Sequence, residues 1–147
     1  MGNEVTAHWH WANMGEVPPS VFIHDYAQTV RLVNAAVARV APSIRVHVSL
    51  DHHWNLTHGN APLRAIPGRR LIDELGRVAR MGGDFAWHVA YHPYPEDLFK
   101  SATWKDKTAL PSADTPRITF KNLGVLTEYL AQPELRWLGR PRRVILS

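Results

Sequence analysis

Ile44-Arg45-Val46-His47-Val48-Ser49-Leu50 alternates apolar and polar side chains, and it runs straight into Asp51-His52-His53-Trp54-Asn55. A period of two with β-branched apolar residues is the signature of a strand with one buried face. The strand therefore ends in a cluster of groups that carry charge, protons and aromatic faces. The same unit recurs downstream. Phe85 to Tyr91 reads as a second strand and runs into His92-Pro93-Tyr94-Pro95, and Arg143-Val144-Ile145-Leu146-Ser147 reads as a third.

Helical spacing separates these strands. Phe22, Ile23, Tyr26, Val30, Val33, Val37 and Val40 recur every three to four residues between Val21 and Ala41. That segment predicts an amphipathic helix with Ser20 as its N-cap and Pro42 as its stop. Leu71, Ile72, Leu75, Val78 and Ala79 mark a second helix closed by Gly82-Gly83. Thr119 is placed to cap a third, carrying Leu123, Leu126, Tyr129 and Leu130 and ending before Pro133. The polar stretch from Glu96 to Pro116, with Trp104 inside it, predicts a long functional or mobile loop.

The order is a stub, then α, β, α, β, α, β, with each helix placed as a crossover between parallel strands. No linker or repeat divides the sequence, so residues 1–147 are read as one domain. A doubly wound sheet would offer a glycine-rich first turn, and none is present. His-rich, aromatic strand ends favour an arc of a (β/α)8 barrel instead. A complete barrel takes about 250 residues. The expected fold is therefore α/β, a partial TIM barrel of about half the full set of parallel strands and outer helices.

Composition narrows the function. Hydrophobic residues make up 45% and charged residues 20%, the profile of a globular domain. No apolar run is long enough for a transmembrane helix, and the first residues lack the basic and then apolar regions of a signal peptide. With no cysteine, disulfides and thiolate chemistry are excluded. The net charge of +4 comes with basic clusters at 64–80 and 136–143. Arg69, Arg70, Arg77 and Arg80 read as the solvated side of a helix, so neither nucleic acid nor membrane is the expected partner. There are nine His, six Trp and four Tyr, and many of them crowd into His8-Trp9-His10-Trp11, His52-His53-Trp54 and Tyr91-His92-Pro93-Tyr94. Such clusters at segment ends suit a site lined for a polar ligand.

Asn3-Glu4 is the candidate for acid/base chemistry. Glycoside hydrolysis needs one carboxyl group to protonate the leaving oxygen and another to attack or to activate water. Together with Gly2-Asn3-Glu4-Val5, the strings Asp51-His52-His53-Trp54, Ala90-Tyr91-His92-Pro93-Tyr94-Pro95 and Arg143-Val144-Ile145-Leu146-Ser147 resemble the clan of retaining glycoside hydrolases built on (β/α)8 barrels. They look closer still to a bacterial glycosidase-like family of unknown function, DUF5722. The resemblance implies that Gly2–Val5 ends the fourth strand, with the strands above as the fifth, sixth and seventh. It implies that Glu4 is the acid/base, Asn3 a ligand for a sugar hydroxyl, and the nucleophilic Glu a residue at or just past Ser147. The chain alone is then expected to be inactive, a fragment without its nucleophile.

Substrate-binding candidates are Trp9, His10, Asp51, His53, Trp54, His92 and Tyr94. His92 and Tyr94 either orient the nucleophile and bind sugar hydroxyls or form a rigid turn. Trp54 either stacks on a sugar ring or caps the core. Trp9 and His10 either line a subsite or pack a loop. His47 reads as a hydrogen-bonded core residue, and His24 and His58 as surface residues. The expected ligand is a carbohydrate, with no cofactor and no metal. A homo-oligomer or the remainder of the barrel is the expected protein partner, because open sheet edges invite pairing. Two rivals stand beside this reading. One is a metal hydrolase using His8-x-His10 with His53, His92 and Asp51, although adjacent His52 and His53 would face opposite ways on an extended chain. The other is a carbohydrate-binding or structural fragment without catalysis.

Overall fold

A computed structural model describes residues 2–147. The apolar half of the fourth strand that the resemblance requires would precede Gly2, where Met1 lies outside the described residues, and Gly2–Val5, read as that strand's end, forms no strand. Four α-helices, α1 (His8–Trp11), α2 (Pro19–Val40), α3 (Gly68–Met81) and α4 (Gly124–Leu130), accompany three strands, β1 (Val46–Leu50), β2 (Trp87–Tyr91) and β3 (Val144–Leu146). The strands form one parallel sheet in the order β1-β2-β3, with Val48 opposite Val89 and Ala90 opposite Ile145. The fold is α/β. No helix among the described residues is long and apolar enough to cross a membrane.

Period-two alternation decides which face of the sheet is covered. Val46, Val48 and Leu50 of β1 join Trp87, Val89 and Tyr91 of β2 in a single core with Phe22, Ile23 and Val30 of α2 and Leu71, Ile72 and Leu75 of α3. Each such side chain contributes about 1.5–3 kcal/mol when fully buried, so this face anchors the domain. His47, Ser49, His88, Ala90 and Ile145 alternate onto the other face, where Ile145 is exposed.

The predicted helices form, with corrections at their ends. Ser20 lies inside α2 and caps nothing, because the Pro18 carbonyl already accepts from Val21 and Phe22 (3.0 and 3.2 Å) and Pro19 fits the first turn. Gly82 ends α3 as expected, and Gly83 takes a left-handed φ of 80°. Thr119 caps a short 3-10 turn, Phe120–Asn122, through a reciprocal box with Asn122, and α4 follows directly. Ile44 and Phe85 fall outside the strands read from them.

The stretch from Glu96 to Pro116 is a tied loop. The Glu96 carboxylate accepts from the backbone N–H groups of Lys107 and Thr108 (2.7 and 3.0 Å). Fully buried Thr115 donates to the Arg117 carbonyl and accepts from Leu110 N–H (both 2.8 Å). Composition could not reveal these bonds, because they join residues that have no shared periodicity.

Candidate functional site

Parallel strands bring their carboxyl ends to one side, and the site is built there. Asp51 follows β1 and His92 follows β2, with the His92 N–H donating to the Leu50 carbonyl at 2.9 Å. The Gly2–Val5 segment lies against the end of β1: Val5 N–H donates to the Ser49 carbonyl, and Glu4 N–H to Ser49 Oγ, both at 3.0 Å. The Ser49 hydroxyl in turn donates to Asn3 Oδ1 (3.1 Å). Ser49 is thus the clamp that fixes the Asn-Glu pair, a role the strand pattern alone could not assign to it.

Glu4 holds a left-handed φ of 45°. A non-glycine residue there costs on the order of 1–3 kcal/mol and persists only where surrounding contacts hold it. The Ser49 contacts do so from the backbone side. On the side-chain side, His92 Nδ1 lies 2.7 Å from Glu4 Oε1. The carboxyl and the ring nitrogen share one proton across this contact, and either group can carry it. Tyr94 Oη sits 3.3 Å from the same nitrogen. Its hydrogen bond to Glu4, followed by burial and the nearby Glu4 charge, pushes the phenol up to about 12. Glu4 is therefore a largely buried carboxylate with fixed donors.

Asp51 heads a second carboxylate–imidazole pair. It accepts from Thr6 Oγ1 and His53 N–H (both 3.1 Å) and from His53 Nδ1 (2.7 Å). Burial pushes its carboxyl up, but the His53 hydrogen bond and the His53 and His52 charges outweigh it and hold the group below the usual range. His52 joins the two pairs: its ring lies 4.2 Å from His53 and edge-on to Tyr94 at 5.9 Å. Burial, then the neighbouring His53, lowers His52 to about 4, so it is neutral at pH 7. The sequence expectation that His52 and His53 point apart fails. The strand ends at Leu50, and alternation does not survive the bend that follows.

The other candidates divide. Trp54 is completely buried, its indole N–H donates to the Ala113 carbonyl (3.0 Å), and its ring meets Tyr129 edge-on. It caps the core and offers no face to a sugar. Trp9, half-buried, lies under the Arg64 guanidinium (4.6 Å), and exposed His10 packs on its edge. No hydrogen bond or ring contact among the described residues joins them to Glu4 or Asp51. His8 is buried, stacked on Phe22, with Nε2 2.8 Å from the Leu63 carbonyl. His8-x-His10 therefore presents no metal pair, because α1 turns one imidazole into the core and the other to solvent. His47 is half-buried, with Nδ1 3.2 Å from the Arg45 carbonyl. His58, read as a surface residue, is exposed but stands edge-on to His53 at 5.7 Å.

Along residues 1–147 the chain matches the model of a family of unknown function, DUF5722. It belongs to that family. No curated protein and no solved structure matches it.

Proposed function

We propose that this DUF5722 chain carries the acid/base half of a retaining glycoside hydrolase-type site on an arc of a (β/α)8 barrel, with Glu4 as acid/base. The observation that carries this reading is the posture of Glu4. It is held at a strained φ by Ser49, beside the carboxyl ends of parallel strands, with His92 against its carboxylate and Tyr94 against His92. Strain kept at one residue by converging contacts is the usual mark of a functional position. Strand ends are where β/α barrels place their chemistry. The uncovered face bearing Ser49, Ala90 and exposed Ile145 suits a barrel wall met by further strands. The rest of the barrel would supply the partner surface.

In this reading Glu4 protonates the glycosidic oxygen and later takes a proton from water. His92 and Tyr94 hold the carboxylate, while Asn3, Asp51 and His53 bind sugar hydroxyls. Trp9 and His10 serve at most a more distant subsite. The nucleophilic carboxylate follows β3, as the resemblance implies. Residues 1–147 alone are expected to be inactive for want of that nucleophile, so the test is release of aryl leaving groups from a panel of activated glycosides by a protein that carries the whole barrel. Glu4→Gln should slow release from glycosides with poor leaving groups by about 10²–10⁴-fold and spare those whose leaving group needs no proton. Added azide should then capture the glycosyl group in the variant. Equal loss on both substrate types, or no loss on either, would overturn the assignment.

A further inference from the structure

Asp51, His53 and His58 each offer a ligand atom, and these atoms all lie within 4.8 Å of one another. The set mixes one carboxylate with two imidazoles, the donor chemistry that selects zinc and its transition-metal neighbours over magnesium or calcium. Asp51 is buried, so its carboxylate is fixed in place at the end of β1. Asp51 Oδ2 and His53 Nδ1 already face each other at 2.7 Å. Donors on one tetrahedral zinc stand about 3.3 Å apart, given bonds of about 2.0–2.1 Å, so a small opening of this pair, with release to water of the proton between the two atoms, admits the ion.

His58 stands edge-on to His53, with ring centroids 5.7 Å apart. It lies in the irregular stretch between β1 and α3, beside a tight turn in which Thr57 Oγ1 donates to the Gly59 carbonyl at 2.7 Å. Its exposed ring can close the remaining distance without disturbing the core. We propose that Asp51, His53 and His58 form a binding site for one divalent transition cation of the zinc class, with an outer position left for water. The ion ties the loop carrying His58 to the end of β1, next to the Glu4–His92 pair. This proposal does not rest on the glycosidase reading of Glu4, and where the ion is bound Asp51 and His53 serve it in place of sugar hydroxyls.

Chelator-treated protein titrated with zinc against a chromogenic indicator tests it. Wild type should bind one ion per chain. His58→Ala and His53→Ala should each lose about 10–100-fold or more in affinity. His24→Ala, on the outer surface of α2, and Glu4→Gln should bind as wild type. His58 is solvent-exposed, so its variant keeps the fold, and an unchanged thermal midpoint without zinc verifies this. Cobalt(II) should give intense d–d bands that His58→Ala abolishes. Wild-type affinity in His58→Ala, or no zinc taken from the indicator by wild type, would overturn the proposal. A glycosidase failure would leave every one of these readouts unchanged.

Discussion

At the carboxyl ends of the strands the carboxylates are paired with imidazoles, and at the amino ends with a guanidinium. Glu4–His92 and Asp51–His53 each close at 2.7 Å. At the other end, Asp84 precedes β2 and pairs with Arg142, which precedes β3. Arg142 is buried, lies over the Trp87 ring at 4.2 Å, and donates to the carbonyls of Leu135, Phe85 and Trp87. A guanidinium never releases its proton in a protein, so that pair can only hold the sheet together. An imidazole changes charge near neutral pH and can also bind a metal. A carboxylate is locked in place by its base at one end, and at the other it faces a base that can exchange a proton or take up a metal.

Four experiments sharpen or break this contrast. Arg142→Ala should cost the most, about 3–5 kcal/mol in urea unfolding, because it strands Asp84 and uncovers Trp87. Arg142→Lys should recover only part of that, since an ammonium cannot reach several carbonyls at once. If Arg142→Ala altered zinc affinity while leaving stability untouched, the division between the two ends would fail.

Acid comes next. His88 is buried; burial, then His47 and the charges of Arg142, Arg143 and Arg45, lowers it to about 4. The unfolded imidazole takes its proton near pH 6.5 and the folded one does not. The unfolded state therefore binds more protons between those values, and stability falls as pH drops from about 6.5 to about 4, by up to about 3 kcal/mol. In denaturation series against pH, His88→Gln should flatten that slope. An unchanged slope would show that His88 titrates normally in the folded chain.

At the carboxyl end, stability and function should separate. Ser49→Ala removes the acceptor of Glu4 N–H and should cost about 1 kcal/mol of stability. Glycoside turnover should drop by more than the roughly five-fold that such an energy represents, because Glu4 loses its clamp. Smallest of all, Glu4→Gln should shift unfolding by less than about 1 kcal/mol, since the amide keeps the shape of the carboxyl group and an oxygen that still accepts from His92. A loss as large as that of Arg142→Ala would make Glu4 a structural residue.

Much of the fold was legible because its signals are local. Val46–Leu50 and Trp87–Tyr91 announce themselves by alternation, and α2 and α3 by apolar residues at helical spacing. The Asp51, His53, His92 and Tyr94 cluster was legible for a related reason: those residues directly follow strands, and parallel strands bring such positions together. Trp54 was ambiguous because an aromatic past a strand end can face either the mouth or the core, and only its bond to Ala113 decides. His58 carried no signal in a loop of mixed composition. Ser49 carried none because a polar residue at an outward strand position needs no explanation.

The sequence by itself determined the order of elements from α2 to β3, though not the short α1, the single parallel direction that crossovers impose, and which chemical groups wait at the strand ends. Those properties depend on neighbours a few residues apart. Only the tertiary structure decided that Glu4 meets His92 across a separation of 88 residues, that His8 turns inward, and that His58 stands beside His53. Such meetings depend on how the helices press the sheet and on single hydrogen bonds such as Glu4 to Ser49, and no periodicity along the chain encodes them.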